Sequence, residues 1–132
     1  MPVLVEEINE PSSQDLTDLN KVYQDAPEWL LAPFASRDEL ISSALANRQL
    51  MAGRFNDRLL AAAIVEKGEA AWQLSHLCVR TVTRKRGVAR RLLAEVQRLA
   101  QEAGKPLHLA APANHLESQA LAARTGLPLH AL

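Results

Sequence analysis

The stretch Arg84-Lys85-Arg86-Gly87-Val88-Ala89 constrains this chain more than any other. Before it, Trp72 to Val82 is apolar and β-branched enough to be a strand. After it, Arg90 to Ala103 has the periodicity of an amphipathic helix. A strand that turns through small residues into a helix can make an anion site. The first N–H groups of a helix lack intrahelical partners, and the helix dipole is positive at that end. Gly87 and Ala89 leave room for a phosphate to approach, and Arg84, Lys85, Arg86 and Arg90 add charge. The same residues also suit a solvated basic turn capping an ordinary helix, so the flanking elements must decide between the two.

Those elements can be read in order. Val3 to Ile8 predicts a first strand, and Pro11-Ser12-Ser13 breaks it and offers a helix cap. Leu16, Leu19, Val22, Tyr23 and Ala26 recur at helical spacing, and Pro27 ends that helix. Trp29 to Phe34 is a loop rich in large apolar groups, either a lid folded onto the core or part of a contact surface. Ser36-Arg37-Asp38-Glu39 forms a capping box, and Leu40, Ile41, Ala44 and Leu45 give the second helix an apolar stripe. Leu50–Phe55 and Leu59–Val65 predict two strands around Asn56-Asp57, residue types that tolerate positive φ in a tight hairpin. Lys67-Gly68-Glu69 turns the chain into the strand at Trp72, completing an antiparallel meander.

Beyond the basic loop, Ala89, Leu92, Leu93, Val96, Leu99, Ala100 and Ala103 share one helix face. Gly104 is placed as a C-terminal cap and Pro106 prevents continuation. Leu107–Ala111 predicts a short buried strand, reached from the previous one by a parallel crossover. Asn114 can cap a last helix that Gly126 ends, and the segment from Leu127 leaves room for one more strand.

Composition narrows the function classes. The 132 residues are 48% hydrophobic and 23% charged, which suits one globular domain over residues 1–132. Formal net charge is zero, and no aromatic residues interleave the basic cluster from Arg80 to Arg91. Nucleic acid is therefore not an expected partner. Cys78 is the single cysteine, which excludes an intramolecular disulfide and a cysteine-rich metal site. Glu6 and Glu7 follow closely on Met1, so no secretory leader is expected, and no apolar run nears the ~20 residues of a membrane span. The expected setting is the reducing cytoplasm.

The Arg-x-x-Gly-x-Ala spacing at residues 84–89 resembles the pyrophosphate loop of the GNAT acetyltransferase superfamily, which holds the diphosphate of acetyl-CoA. The element order β-α-α-β-β-β-α-β-α-β also resembles that fold, an α/β (α+β) domain with a mixed central sheet flanked by helices. Relative to most members the chain would be shortened at the C-terminus, lacking the long terminal hairpin.

A narrower resemblance follows. Arg54-Phe55-Asn56-Asp57-Arg58-Leu59-Leu60-Ala61-Ala62 is similar to a hairpin of the PanZ (PanM) proteins, and Leu77 to Ala89 is similar to their Leu-x-Val-Arg-x-Val-Thr-Arg-Arg-Arg-Gly-Val-Gly segment. The match covers roughly Arg54 to Val96. It implies binding of acetyl-CoA or CoA and regulation of aspartate α-decarboxylase. That regulation would comprise maturation of the precursor, CoA-dependent inhibition of the mature enzyme, or both. The resemblance places Leu77, Cys78 and Val79 along the pantetheine and acetyl portions. It places Thr83, Arg84, Lys85, Arg86, Gly87, Val88, Ala89 and Arg90 around the pyrophosphate. Arg54 and Asn56 become candidates for the decarboxylase face. A monomer is expected in the absence of that partner, with no membrane attachment. Ala89 stands where the family has its second loop glycine, and Cys78 where an arginine can stand.

Acetyl transfer would need a base, an oxyanion donor and usually an acid for the thiolate. In many GNAT enzymes a tyrosine lies four residues before the glycine ending the last helix; here that position is Ala122. The one tyrosine, Tyr23, is remote in sequence. Glu66, Glu69 and His76 are available as bases, but the glutamates flank a solvated turn and His76 also suits a hydrogen-bonded strand residue. Cys78 suits a buried structural thiol, and His108, His115 and His130 lack metal-ligand spacing. No residue is assigned as catalytic, and a binding role is expected; a true N-acetyltransferase acting on a small amine or a protein lysine is the alternative.

Overall fold

The computed structural model describes residues 3–83, 87–111 and 116–131. Six strands form one sheet in the order of the chain: β1 (Leu4–Glu7), β2 (Leu50–Phe55), β3 (Arg58–Lys67), β4 (Trp72–Val79), β5 (Leu107–Ala111) and β6 (Leu129–Ala131). The pairs β1–β2, β2–β3 and β3–β4 are antiparallel, whereas β4–β5 and β5–β6 are parallel. The helices are α1 (Ser13–Gln24), α2 (Glu28–Leu31), α3 (Arg37–Ala46), α4 (Val88–Glu102) and α5 (Leu116–Thr125).

Each face of the sheet buries its own core. On one face α1 and α3 place Leu19, Val22, Tyr23, Leu40, Ile41 and Ala44 against Leu50, Leu59, Ala62 and Ile64. On the other, α4 places Val88, Leu92, Leu93, Val96 and Ala100 against Ala61, Ala63, Val65, Leu74 and Leu109. Because both faces are covered, β3 is buried without interruption from Leu59 to Val65, which explains an apolar run with no alternation. Small side chains at Ala61, Ala62 and Ala63 let helices approach from both sides.

Local chemistry sets most of the boundaries. Ser12 Oγ accepts from Asp15 N–H at 3.0 Å and the Asp15 carboxylate reaches back to Ser12 N–H at 3.3 Å, a complete capping box at the start of α1. Ser36 accepts from Glu39 N–H at 3.2 Å, but the Glu39 carboxylate reaches the N–H of Ala35 instead of Ser36. Asn56 and Asp57 take φ values of 48° and 65°, both positive, as a two-residue hairpin turn requires. Gly104 ends α4 with φ 72° and Gly126 follows α5 with φ 71°, both in the left-handed region.

Four further expectations are corrected. β4 stops at Val79, and Thr81–Thr83 form a single 3₁₀ turn that leaves Val82 exposed. The strand ends because its amide partners change: Thr81 N–H donates to the Asp25 carboxylate and Thr83 N–H to the Arg80 carbonyl, both at 2.9 Å. α4 begins two residues early, at Val88. The segment predicted as a loop at Trp29–Phe34 contains the helical turn α2, and Leu30, Leu31 and Phe34 pack onto the α1/α3 core. Leu16 and Ala103, placed by periodicity on apolar faces, are exposed. The predicted cap Asn114 lies outside the described residues. Among the described residues no helix is long and apolar enough to cross a membrane.

Candidate functional site

The site forms where β4 loses its neighbour. Pairing between β4 and β5 runs from Trp72↔Leu107 to Ser75↔Ala110, but β4 continues to Val79 while β5 ends at Ala111. Beyond Ser75 the two strands therefore leave a gap in the sheet. A bulge in β4 opens it further: pairing with β3 slips between Ala62 and Ile64, and His76 sits at φ 55°, rare for a residue with a side chain.

The gap holds a cavity of about 620 Å³ lined by β4 from Leu74 to Val79, β5 from Leu109 to Ala111, and Ala120, Leu121 and Arg124 of α5. Pro27, Trp29 and Leu30 close one side, so the apolar segment of the sequence is a wall of the site as well as a cover of the core. A second cavity of about 550 Å³ lies along Thr83, Gly87, Val88, Ala89, Arg90 and Leu93. Val79, Ala89, Leu121 and Arg124 line both, so the two form one continuous groove.

The groove changes chemistry along its length. Its first part is mostly aliphatic. Its second part runs over the start of α4, where Gly87 caps the helix at φ 81° and, among the described residues, no side chain caps the first turn. The first N–H groups of that turn lack intrahelical partners and form the electropositive end of the helix. Just past the end of β4, next to Val79 in the chain, Arg80 buries Nε with no hydrogen-bond partner among the described residues. Leu77, Cys78, Val79, Thr83, Gly87, Val88, Ala89 and Arg90 are all brought to the groove. Arg84, Lys85 and Arg86 lie outside the described residues.

The polar groups near β4 are already engaged. His76 is buried; its Nε2 lies 2.7 Å from the Ala32 carbonyl and its Nδ1 2.8 Å from Ser75 Oγ. A carbonyl can only accept, so Nε2 carries the proton and Nδ1 accepts from the serine hydroxyl. Burial pushes the His76 pKa down, which favours this neutral ring, although the Ala32 carbonyl pulls the other way. The ring thereby fastens the Pro27–Phe34 wall to the bulge, with the Phe34 ring 5.4 Å away. Tyr23 completes the arrangement from α1: its hydroxyl donates to the His76 carbonyl at 2.9 Å. Cys78 turns its thiol to the α1 side, 3.2 Å from the Val22 carbonyl, so it meets the groove through its backbone. Ala122 packs against the α4-side core, and its carbonyl accepts from Gly126 N–H at 2.9 Å.

The hairpin residues gather elsewhere. A register shift between Gly53 and Arg54 accompanies a guanidinium that donates to Glu6 Oε1 at 2.8 Å and to Asp15 Oδ1 at 3.0 Å. The Arg54 hydrogen bond holds the Asp15 carboxyl below its usual range. Asn56 stands exposed at the tip.

Two residues at the site carry no signal in the sequence that points to it. Arg124 lines both cavities, but one arginine at a helix end carries no sequence signal beyond favourable charge. Tyr23 is remote from β4 along the chain, and only the fold brings its hydroxyl to the His76 carbonyl at the bulge.

Known proteins share this architecture. The structure superposes on the PaiA N-acetyltransferase of Thermoplasma acidophilum in complex with coenzyme A, with TM-score 0.71, 13% identity, and coverage of 95% of this chain and 89% of that one. The ribosomal-protein-S18-alanine N-acetyltransferase of Escherichia coli superposes with TM-score 0.72, 19% identity, and coverage of 95% and 77%. At such identities the likeness concerns the fold. In sequence, the PanD regulatory factor of Escherichia coli (strain K12) is 40% identical over 87 residues, 66% of this chain and 60% of that protein. Its Salmonella typhimurium (strain LT2) counterpart is 39% identical over the same shares. The chain thus spans about 60% of the length of these curated relatives. The family model described as "Acetyltransferase (GNAT) domain, PanZ" matches residues 2–129, and the chain belongs to that family.

Proposed function

We propose that this protein binds coenzyme A or acetyl-CoA in the β4–β5 groove and, so loaded, binds and regulates aspartate α-decarboxylase, the PanD of its relatives' names. The continuous groove carries the reading: an aliphatic gap, where β4 runs on past its pairing with β5, joins a helix N-terminus whose cap residue is a glycine. A pantetheine arm is amide-bearing and otherwise largely apolar, and a diphosphate needs N–H donors and positive charge, so the two parts of the groove fit the two parts of the ligand.

In this reading Leu77, Cys78 and Val79 offer backbone groups to the pantetheine and acetyl portions. Thr83, Gly87, Val88, Ala89 and Arg90, with the sequence neighbours Arg84, Lys85 and Arg86, hold the diphosphate. Acetyl-CoA supplies an activated acyl thioester; the chain's residues bind and orient it. Arg54 and Asn56 belong to the decarboxylase face, with Arg54 braced by Glu6 and Asp15 and Asn56 exposed at the tip. The PanD in the relatives' names supports the partner, the coenzyme A held by the PaiA structure of the same fold supports the ligand, and residues 1–132 act in this reading as one domain. Ligand-dependent partner binding requires only that the ligand favour one conformation or complete part of the surface.

A pull-down of purified decarboxylase precursor, with and without acetyl-CoA, tests the proposal. Capture is expected only with ligand, and assays of precursor cleavage and mature-enzyme activity then separate maturation from inhibition. Failure to capture the decarboxylase with acetyl-CoA present, together with CoA release in the presence of an amine acceptor, would put an N-acetyltransferase in its place.

Ligand binding has its own probe. Trp29 lines the groove, whereas Trp72, the other tryptophan, is buried with Lys67 Nζ 5.2 Å from its ring centroid. Titration with CoA is expected to change tryptophan emission, and Trp29→Phe to remove most of that change while CoA binding by calorimetry is largely kept.

A further inference from the structure

We infer that Arg124 is a second-wall anchor for the diphosphate, selecting phosphate-bearing carriers over bare pantetheine thiols; this rests on the coenzyme A reading above. Arg124 is the residue of α5 that lines both cavities together with Leu121, three positions earlier on the same helix face. Leu121 packs into the core and so fixes that face toward the groove. Thr125, which also borders the second cavity, donates its hydroxyl to the Leu121 carbonyl at 2.9 Å, leaving Arg124 as the charged group of this wall among the described residues. Among the described residues no carboxylate pairs with Arg124. Among those residues its guanidinium therefore has no competing charge to leave when an anion arrives.

The two walls are complementary. The first turn of α4 supplies backbone N–H groups fixed in direction, which can satisfy oxygens on one side of a diphosphate. The remaining oxygens need donors from the side of α5, and a planar guanidinium matches two phosphate oxygens at once. Arg124 stands where the groove passes from the helix N-terminus to the aliphatic gap, the place where the charged part of such a ligand gives way to its apolar arm.

Calorimetric titrations of the full chain with CoA, 4′-phosphopantetheine and pantetheine, each against wild type, Arg124→Gln and Arg124→Lys, test the inference. Arg124→Gln is expected to weaken CoA and 4′-phosphopantetheine about tenfold and to leave pantetheine within twofold, while Arg124→Lys keeps most of the affinity. The residue is exposed, so all three proteins should share one melting temperature. Equal CoA affinity in wild type and Arg124→Gln would overturn the inference and leave the coenzyme A reading intact. A loss of equal size for all three ligands would also overturn it, assigning Arg124 to the pantetheine arm. Failure of the wild type itself to bind CoA would remove the underlying reading.

Discussion

Gly87→Asp is expected to weaken CoA binding by about a hundredfold while leaving the fold intact. Gly87 caps α4 at φ 81°, a conformation that Asp and Asn adopt more readily than other side chains. A Cβ built there meets nothing within 4 Å among the described residues, so the cost to the fold is that of backbone strain, on the order of 1 kcal/mol. An aspartate at a helix N-terminus also interacts favourably with the helix dipole, which offsets part of that strain. The groove responds differently. A carboxylate at the mouth of an anion site places like charges within about 5 Å, worth roughly 3 kcal/mol at a surface dielectric, or about a hundredfold in affinity. Gly87→Asn separates the two effects, because it has the same shape and no charge. Its CoA affinity should fall no more than about tenfold, and its melting temperature should match that of Gly87→Asp. Equal CoA affinity in Gly87→Asp and wild type would remove the diphosphate from this end of the groove.

That such a test can be designed at one residue reflects how much of the site is written locally. The turn at Asn56-Asp57, the glycine at 87, the stripe of α4 and the cap at Gly104 each depend on neighbours within a few residues. Periodicity and residue type therefore suffice to place them. What the sequence hides depends on distant partners. The end of β4 is set by Asp25, 56 residues away, which takes the N–H of Thr81. The bulge at His76 is clamped by Tyr23 from α1 and by Ala32 from the α2 segment, at separations of 53 and 44 residues. A histidine in an apolar strand gives no sign that both its nitrogens will be spent holding a wall in place. Arg124 is hidden for another reason: a basic residue in the last turn of a helix has an ordinary explanation, and only the shape of the groove gives it a second one. Leu16 and Ala103 err in the opposite direction. They continue a correct helical period onto faces the sheet is not wide enough to cover.

The ionic frame beneath the hairpin yields the largest expected loss of stability, from Asp18→Ala. Asp18 is 1% exposed and accepts from Arg58 Nη2 at 2.7 Å, from Leu59 N–H at 3.1 Å and from Gln14 Nε2 at 3.0 Å. It thereby ties α1 to the start of β3, the strand both cores share. Removing the carboxylate leaves the buried Leu59 N–H without its acceptor and opens a gap beside Leu19 and Leu59, for a cost of about 3 kcal/mol. For a chain of this size that corresponds to a fall of roughly 10 °C in melting temperature. Asp18→Asn retains an acceptor oxygen and should lose about half as much. Acid supplies an internal control. Burial pushes the Asp18 carboxyl upward, but its hydrogen bonds from Arg58, Leu59 and Gln14 together hold it below the usual 3.8. Because the folded state binds that proton less readily than the unfolded chain, this contribution is complete above about pH 4 and is lost as pH falls through the depressed value. The stability gap between wild type and Asp18→Ala, from denaturant melts, should therefore be widest near neutral pH and narrow toward pH 2. A gap that stays constant over that range would show that the carboxylate's charge contributes nothing and that its loss acts only through packing.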